Sequence, residues 1–141
     1  LIDISKEDVV RMVKELTEGR GADFVIEAVG TVSTYETALK IVRPGGRIAA
    51  FGITNQEDEM KLRPYDFVLG ERSLVGSCAG VGNDWSDAIA LLKFGRINPQ
   101  PLFSLKVPLE ELEEALLEGK ENRRLLKIFV SPELTEKEVI N

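Results

Sequence analysis

Three short stretches carry the chemistry this chain can offer: Ala28-Val29-Gly30, Phe51-Gly52-Ile53 and Gly76-Ser77-Cys78-Ala79-Gly80. Each sets a glycine at or beside the point where an apolar run ends. In parallel α/β sheets the carboxyl ends of the strands line the ligand crevice. Small residues there let a flat ligand approach the backbone and bond to its N–H and C=O groups. One such turn is explained by the use of glycine in tight turns; three aligned turns on one sheet edge point to a ligand. A related signal is the pair Gly80 and Gly82 in "CAGVGND", a strand-to-helix turn that could cradle a phosphate at a helix N-terminus. It lacks the third glycine of G-x-G-x-x-G and the downstream acid, so it reads as a loop over a flat ring, not as the main phosphate site.

What is missing narrows the chemistry further. The chain has no histidine and one cysteine, Cys78. The usual zinc and iron sites are therefore ruled out, as is any Ser-His or Cys-His nucleophile pair. A carboxylate-only magnesium site stays open, although no acidic cluster suggests one. Cys78 has apolar neighbours and nothing to activate it, so a buried structural thiol is expected. Glu27, embedded in "FVIEAV", reads as a carboxylate satisfied by a backbone turn; the alternative is an edge carboxylate facing a crevice. The acids from Glu110 to Glu118 read as a solvated helix face. Catalysis must come from a bound cofactor, from carboxylates and lysines, or from residues outside this sequence.

The elements that would position these turns follow from periodicity and punctuation. "SKED" from Ser5 predicts a helix cap, with Val9, Val10, Val13 and Leu16 at helical spacing and Gly19 and Gly21 as the stop. "FVIEAV" then reads as a strand buried on both faces. Ser33 to Glu36 has the form of a capping box for a helix with Ala38, Leu39 and Val42 inward, broken by Pro44-Gly45-Gly46. "RIAAFGI" (47–53) is a second buried strand. Strand, helix and strand in about 30 residues make one βαβ unit, so the two strands are parallel. A loop with a helical turn over 64–69 leads to a third strand, "RSLVGSC" (72–78). Asn83 or Asp84 is expected to cap a helix with Trp85, Ala88, Ile89 and Leu92 inward. "LFSLKV" (102–107) is extended, Pro108 opens a helix with Leu109, Leu112, Ala115 and Leu116 on one side, and "RLLKIFV" (124–130) is a final strand. Residues 131–141 read as a charged tail or terminal helix. The expected fold is α/β, a partial doubly wound parallel sheet of Rossmann type with helices on both faces.

With 141 residues, 43% hydrophobic and 30% charged, the chain has the size and balance of one folded domain. A formal net charge of −6 argues against nucleic-acid or anionic-membrane binding, which need clustered positive charge. No apolar run reaches membrane-spanning length, nothing resembles a signal peptide, and a single cysteine fits a reducing, cytoplasmic compartment. The opening "LIDISKED", without methionine and with Leu1 and Ile2 already apolar, is expected to be the tail of an element belonging to a longer protein.

The segments "GADFVIEAVG", "ALKIVRPGGRIAAFGI", "SLVGSCAGVGNDWSDAIALLKFGRI" and "FSLKVPLEELEEALLEGKENRRLLKIFV" together resemble medium-chain, zinc-dependent alcohol dehydrogenases, in particular the polyol (sorbitol) and threonine dehydrogenase branch. The likeness covers residues 1 to about 130. It implies that residues 1–130 are the second half of an NAD(P)-binding Rossmann domain plus a C-terminal return segment, followed by a charged tail over 131–141. It implies a nicotinamide dinucleotide, NAD or NADP, as cofactor, and hydride transfer with a small secondary alcohol or polyol as the parent reaction. Zinc would belong to a catalytic domain outside this chain, which carries no match for the glycine fingerprint, the ribose acid or any zinc ligand. The chain alone is thus expected to be inactive. By the same resemblance, backbone groups at Phe51 and Ile53 and at Ser77 and Ala79 would bind the carboxamide, with Gly52 in the same turn. Val29 and Gly30 would lie near the ribose and pyrophosphate. Lys127, or as second choice Arg124, would reach the pyrophosphate. Homo-oligomers through sheet edges, near "SLKVP" or residues 72–78, are also implied. Two other readings compete: an S-adenosylmethionine-dependent methyltransferase, which shares the "DFVIEA", helix, "RPGG", strand order but ends in an antiparallel strand, and a non-catalytic α/β interaction domain, which would need a self-sufficient sheet from residue 1.

Overall fold

The computed structural model describes residues 1–140. The chain forms two compact units, one over Leu1–Ala79 and one from Gly80 onward.

In the first unit, α1 (Val9–Leu16) is capped by Asp8, whose Oδ1 accepts from the N–H groups of Val10 at 3.0 Å and Arg11 at 3.2 Å. Ser5, expected at this cap, folds instead onto the Asp3 carboxylate through its N–H and its hydroxyl. The aspartate directly before the first periodic valine is the better-placed acceptor. β1 (Ala22–Glu27) follows, then α2 (Val32–Ile41). The cap of α2 is Thr31, not Ser33: Thr34 N–H donates to Thr31 Oγ1 at 3.3 Å and Thr31 N–H to Thr34 Oγ1 at 3.2 Å. The box is shifted because Gly30 ends the preceding turn and leaves Thr31 in the extended conformation a cap requires. β2 (Val42–Ala50) begins without a loop. Its pairing with β1 jumps from Ala22↔Val42 to Phe24↔Arg47, so Pro44-Gly45-Gly46 form an excursion within the strand. α3 (Pro64–Leu69) and β3 (Ser73–Gly76) complete the parallel order β1-β2-β3.

Register decides which residues form the core. Paired residues of neighbouring strands share a face, so Val25, Ile48 and Leu74 make one row. That row packs with Ala38, Leu39 and Val42, and Ile48 is 0% exposed. Ile26, Ala49 and Val75 make the next row on the opposite face, where Phe24 and Ile26 are each 75% exposed. The strand expected to be buried on both faces is buried on one. With a period of two, α2 can cover only alternate residues, and no other element covers the rest.

In the second unit α4 (Asp84–Lys93) precedes β4 (Phe103–Val107), α5 (Leu112–Glu121), β5 (Lys127–Val130) and β6 (Glu138–Val139). Its sheet has the order β5-β4-β6, with β5 parallel and β6 antiparallel to β4. Leu105, Val107 and Ala115 form its core, with Leu125 and Ile128 against them. Ser104 is buried and its Oγ accepts from Leu126 N–H at 2.9 Å. Two expectations are corrected here. Trp85, Ile89 and Leu92 do not point inward: α4 has no buried residue, because α5 and not α4 supplies the helix in this core. On α5 only Ala115 is buried, and Leu109, Leu112 and Leu116 are exposed, since this small sheet presents a narrow apolar face. The segment after Val130 is not helical. Lys106 pairs with Glu138 at 3.3 Å and Lys137 with Glu118 at 2.6 Å, which helps hold the short strand β6 in place; Asn141 lies outside the described residues.

The architecture is α/β with parallel strands and helices, as the sequence predicts, in two three-stranded sheets. Urea unfolding should separate the two faces of the first sheet: Ile48→Ala should lose about 2–5 kcal/mol, whereas Ile26→Thr on the bare face should change stability by about 0.5 kcal/mol or less.

Candidate functional site

The carboxyl end of the first sheet is built around Glu27, the last residue of β1. Its side chain is buried, 4% exposed. A lone buried carboxylate is costly, and here the cost is offset by donors. Oε1 accepts from Val29 N–H at 2.9 Å, Gly30 N–H at 3.0 Å and the Thr34 hydroxyl at 2.7 Å. Burial pushes its pKa up, but the donors of Gly30, Thr34, Val29 and Gly52 outweigh burial and leave it below the ordinary carboxylate value. Glu27 Oε1 is therefore satisfied by a turn, as the sequence suggests, while Oε2 is buried without a hydrogen-bond partner among the described residues, and the carboxyl is ionised at neutral pH.

The same residue joins the first turn to the second. The Glu27 carbonyl accepts from Phe51 N–H and Gly52 N–H, both at 2.9 Å. Tyr35, from α2, donates its hydroxyl to the Gly52 carbonyl at 2.6 Å. Burial and the Glu27 charge both push the Tyr35 pKa up, so it remains a donor. The two turns are pressed together. A Cβ on Gly30, where φ is +82°, would meet the backbone of Ile53; one on Gly52 would meet Gly30 and Glu27 Oε2. Only glycine fits at either position.

Of the expected site residues, the structure brings Val29, Gly30, Phe51, Gly52 and Ile53 together across the ends of β1 and β2. The third turn joins them through Ser77, whose N–H donates to the Ala50 carbonyl at 2.9 Å. Ala79 adopts φ +53°, a left-handed conformation that costs a non-glycine residue energy and is often kept at working sites. Among the described residues, no hydrogen bond uses the N–H groups of Ile53, Cys78 or Ala79. Cys78 is exposed, which corrects the buried thiol expected from its neighbours: β3 ends at Gly76 and nothing covers the turn beyond it. Lys127 and Arg124 belong to the second unit. Lys127 opens β5, and Arg124 lies in the preceding turn with its N–H bonded to Asn122 Oδ1. Both side chains are exposed, and neither meets a carboxylate among the described residues.

Sequence reasoning missed Thr34 and Tyr35. The available signal was a buried carboxylate seven residues before a threonine, across a glycine turn. Its meaning depends on α2 folding back over β1.

A family model described as zinc-binding dehydrogenase matches residues 1–93. The chain is 31% identical over 130 residues to D-arabitol-phosphate dehydrogenase of Enterococcus avium, covering 90% of this chain and 37% of that protein. It is 29% identical over 131 residues to sorbitol dehydrogenase of Halalkalibacterium halodurans, covering 93% and 38%. The solved structure of alcohol dehydrogenase TADH from Thermus sp. ATN1 superposes with a TM-score of 0.78 at 32% identity, covering 90% of this chain and 36% of that one. The chain thus spans a little over a third of the length of these relatives.

Removing the Glu27 charge should loosen this edge. Glu27→Gln should destabilise the chain by about 1–3 kcal/mol, since two backbone donors lose an ionised acceptor. A folded pKa below the ordinary 4.5 means that this contribution is present at neutral pH and is lost as pH falls through the folded value. Unfolding free energy measured from pH 7 down to pH 3 should therefore fall more steeply in the unaltered chain than in Glu27→Gln.

Proposed function

Because the chain belongs to the zinc-binding dehydrogenase family, we propose that it supplies the nicotinamide-facing half of an NAD(P) site in a longer alcohol or polyol dehydrogenase. The observation that carries this is the glycine-only junction of Gly30, Gly52 and Ile53 beside the free N–H groups of Ile53, Cys78 and Ala79. A flat carboxamide-bearing ring needs close backbone approach and main-chain donors, and the donors here match that chemistry. When bound, the nicotinamide takes a hydride from a secondary alcohol. In this reading Phe51, Gly52, Ile53, Ser77 and Ala79 orient the carboxamide, and Val29 and Gly30 border the ribose. On the family resemblance alone, Lys127 is proposed as a point charge for pyrophosphate, with Arg124 as the second choice.

Zinc does not fit this chain: the sequence has no histidine, and the described residues hold no group of three His, Cys, Asp or Glu that could bind a metal. Isolated, the chain should bind cofactor weakly and not turn over alcohol. The sheet of the first unit ends at β3, whose outer edge has no partner strand among the described residues, which supports edge-to-edge homo-oligomers. No helix is long and apolar enough to cross a membrane, and we infer a cytoplasmic setting from the single free cysteine.

The test is an amide-resolved NMR titration of the chain with NADH, NADPH and S-adenosylmethionine. The dinucleotides should shift Gly30, Gly52, Ile53 and Ala79. Shifts at these residues with S-adenosylmethionine alone would instead indicate a methyltransferase. In the longer polypeptide, sorbitol oxidation should require NAD+ or NADP+ and be lost in Gly52→Val.

A further inference from the structure

The first unit holds a second concavity, away from the strand-end turns. The outer face of α2, the segment 61–63, the start of α3 and Arg72 just before β3 enclose about 370 Å³. That is within the range of roughly 300–1,000 Å³ typical of small-molecule sites. Its lining includes none of the residues of the three turns.

Leu39, Leu62 and Phe67 give the cavity an apolar wall. Four cations stand around it, Lys40, Lys61, Arg63 and Arg72, against two acids, Glu36 and Asp66. Both acids are already engaged: Asp66 Oδ2 lies 3.4 Å from Arg63 Nε, and Glu36 Oε1 accepts the Lys61 N–H at 3.5 Å. The ammonium groups of Lys40 and Lys61 meet no carboxylate among the described residues. Among the described residues the Arg72 side chain makes one hydrogen bond, from Nη1 to the Asp66 carbonyl at 3.1 Å, and its buried Nε–H has no acceptor. Positive charge is thus left uncompensated at an apolar hollow, in a chain of net charge −6. An inorganic anion would leave the leucines and phenylalanine bare, and a neutral apolar molecule would desolvate the cations without replacing their hydration.

We propose that this cavity binds a small amphipathic organic anion, its carboxylate at Lys40, Lys61 and Arg72 and its alkyl body against Leu39, Leu62 and Phe67. Such a site is separate from the strand-end edge, so it would be a second, non-catalytic ligand site on the same unit.

Octanoate serves as the probe, with acetate and octanol supplying its two halves separately, in amide-resolved NMR titrations of the chain. Octanoate should shift Leu39, Lys61 and Phe67 with a Kd below about 1 mM, and acetate and octanol should each bind about tenfold or more weakly. The double charge reversal Lys40→Glu/Lys61→Glu alters two exposed side chains; with an unchanged melting temperature it should weaken octanoate about tenfold or more. Octanol binding as tightly as octanoate would reduce the site to an apolar groove, and acetate binding as tightly would reduce it to surface charge. Either result overturns the proposal, as does an unaltered octanoate affinity in the double variant or no shift at millimolar octanoate. NADH titrated in parallel reads out residues 29–30 and 51–53, so failure at this cavity leaves the cofactor reading separately decided.

Discussion

A carboxylate buried to 4% exposure has to be surrounded by donors, and the donors available to Glu27 are the backbone of the turn that follows it and the hydroxyl of Thr34. That requirement fixes the path of the chain from β1 into α2. Because the Glu27 carbonyl also receives the N–H groups of Phe51 and Gly52, the end of β2 is fixed with it. Tyr35 reaches over from α2 to bind the Gly52 carbonyl. Strand, helix and neighbouring strand therefore meet at one residue, through the Glu27 carboxylate on the side of the turn and α2 and through its backbone carbonyl on the side of β2. The glycines at 30 and 52 are a consequence, since the turns come too close to admit a Cβ. An apolar residue at position 27 would leave two backbone donors, those of Val29 and Gly30, and the Thr34 hydroxyl without this acceptor, a cost of the same kind as burying any unsatisfied polar group.

The edge produced in this way divides its backbone donors between the sheet and the space beyond the strand ends. Backbone donors of Phe51, Gly52 and Ser77 are spent within the sheet, whereas those of Ile53, Cys78 and Ala79 meet no acceptor among the described residues. A ligand-binding edge needs this division, because preorganised donors lose little entropy when they engage a ligand. Family membership, together with an alignment that spans a little over a third of each relative, fits a chain that contributes one side of a shared site.

The bare apolar rows belong to the same picture. Phe24 and Ile26 lie on a strand, and Trp85 and Ile89 on a helix, with most of their surface exposed. Each unit nevertheless has its own buried centre, around Ile48 in the first and around Leu105 and Val107 in the second. These cores are small, and the exposed rows are where further protein surface would add stability.

The sequence alone determined the order of elements as far as β5, the parallel βαβ unit and the three glycine turns, because these depend on local periodicity and on backbone conformations that few residues adopt. It also limited the chemistry, since a chain without histidine and with one cysteine cannot assemble the common catalytic sets. Caps were legible only in kind: a polar side chain was expected at the starts of α1, α2 and α4, but Asp8 and Thr31 cap α1 and α2 in place of Ser5 and Ser33 because of the geometry of the adjoining turns. Tertiary structure alone decided which face of each strand is covered, leaving Phe24 and Ile26 bare. It decided too that Cys78 is exposed, and that Thr34 and Tyr35 tie Glu27 to Gly52. Those outcomes depend on contacts between segments distant in sequence, and no pattern within a single segment encodes what will pack against it.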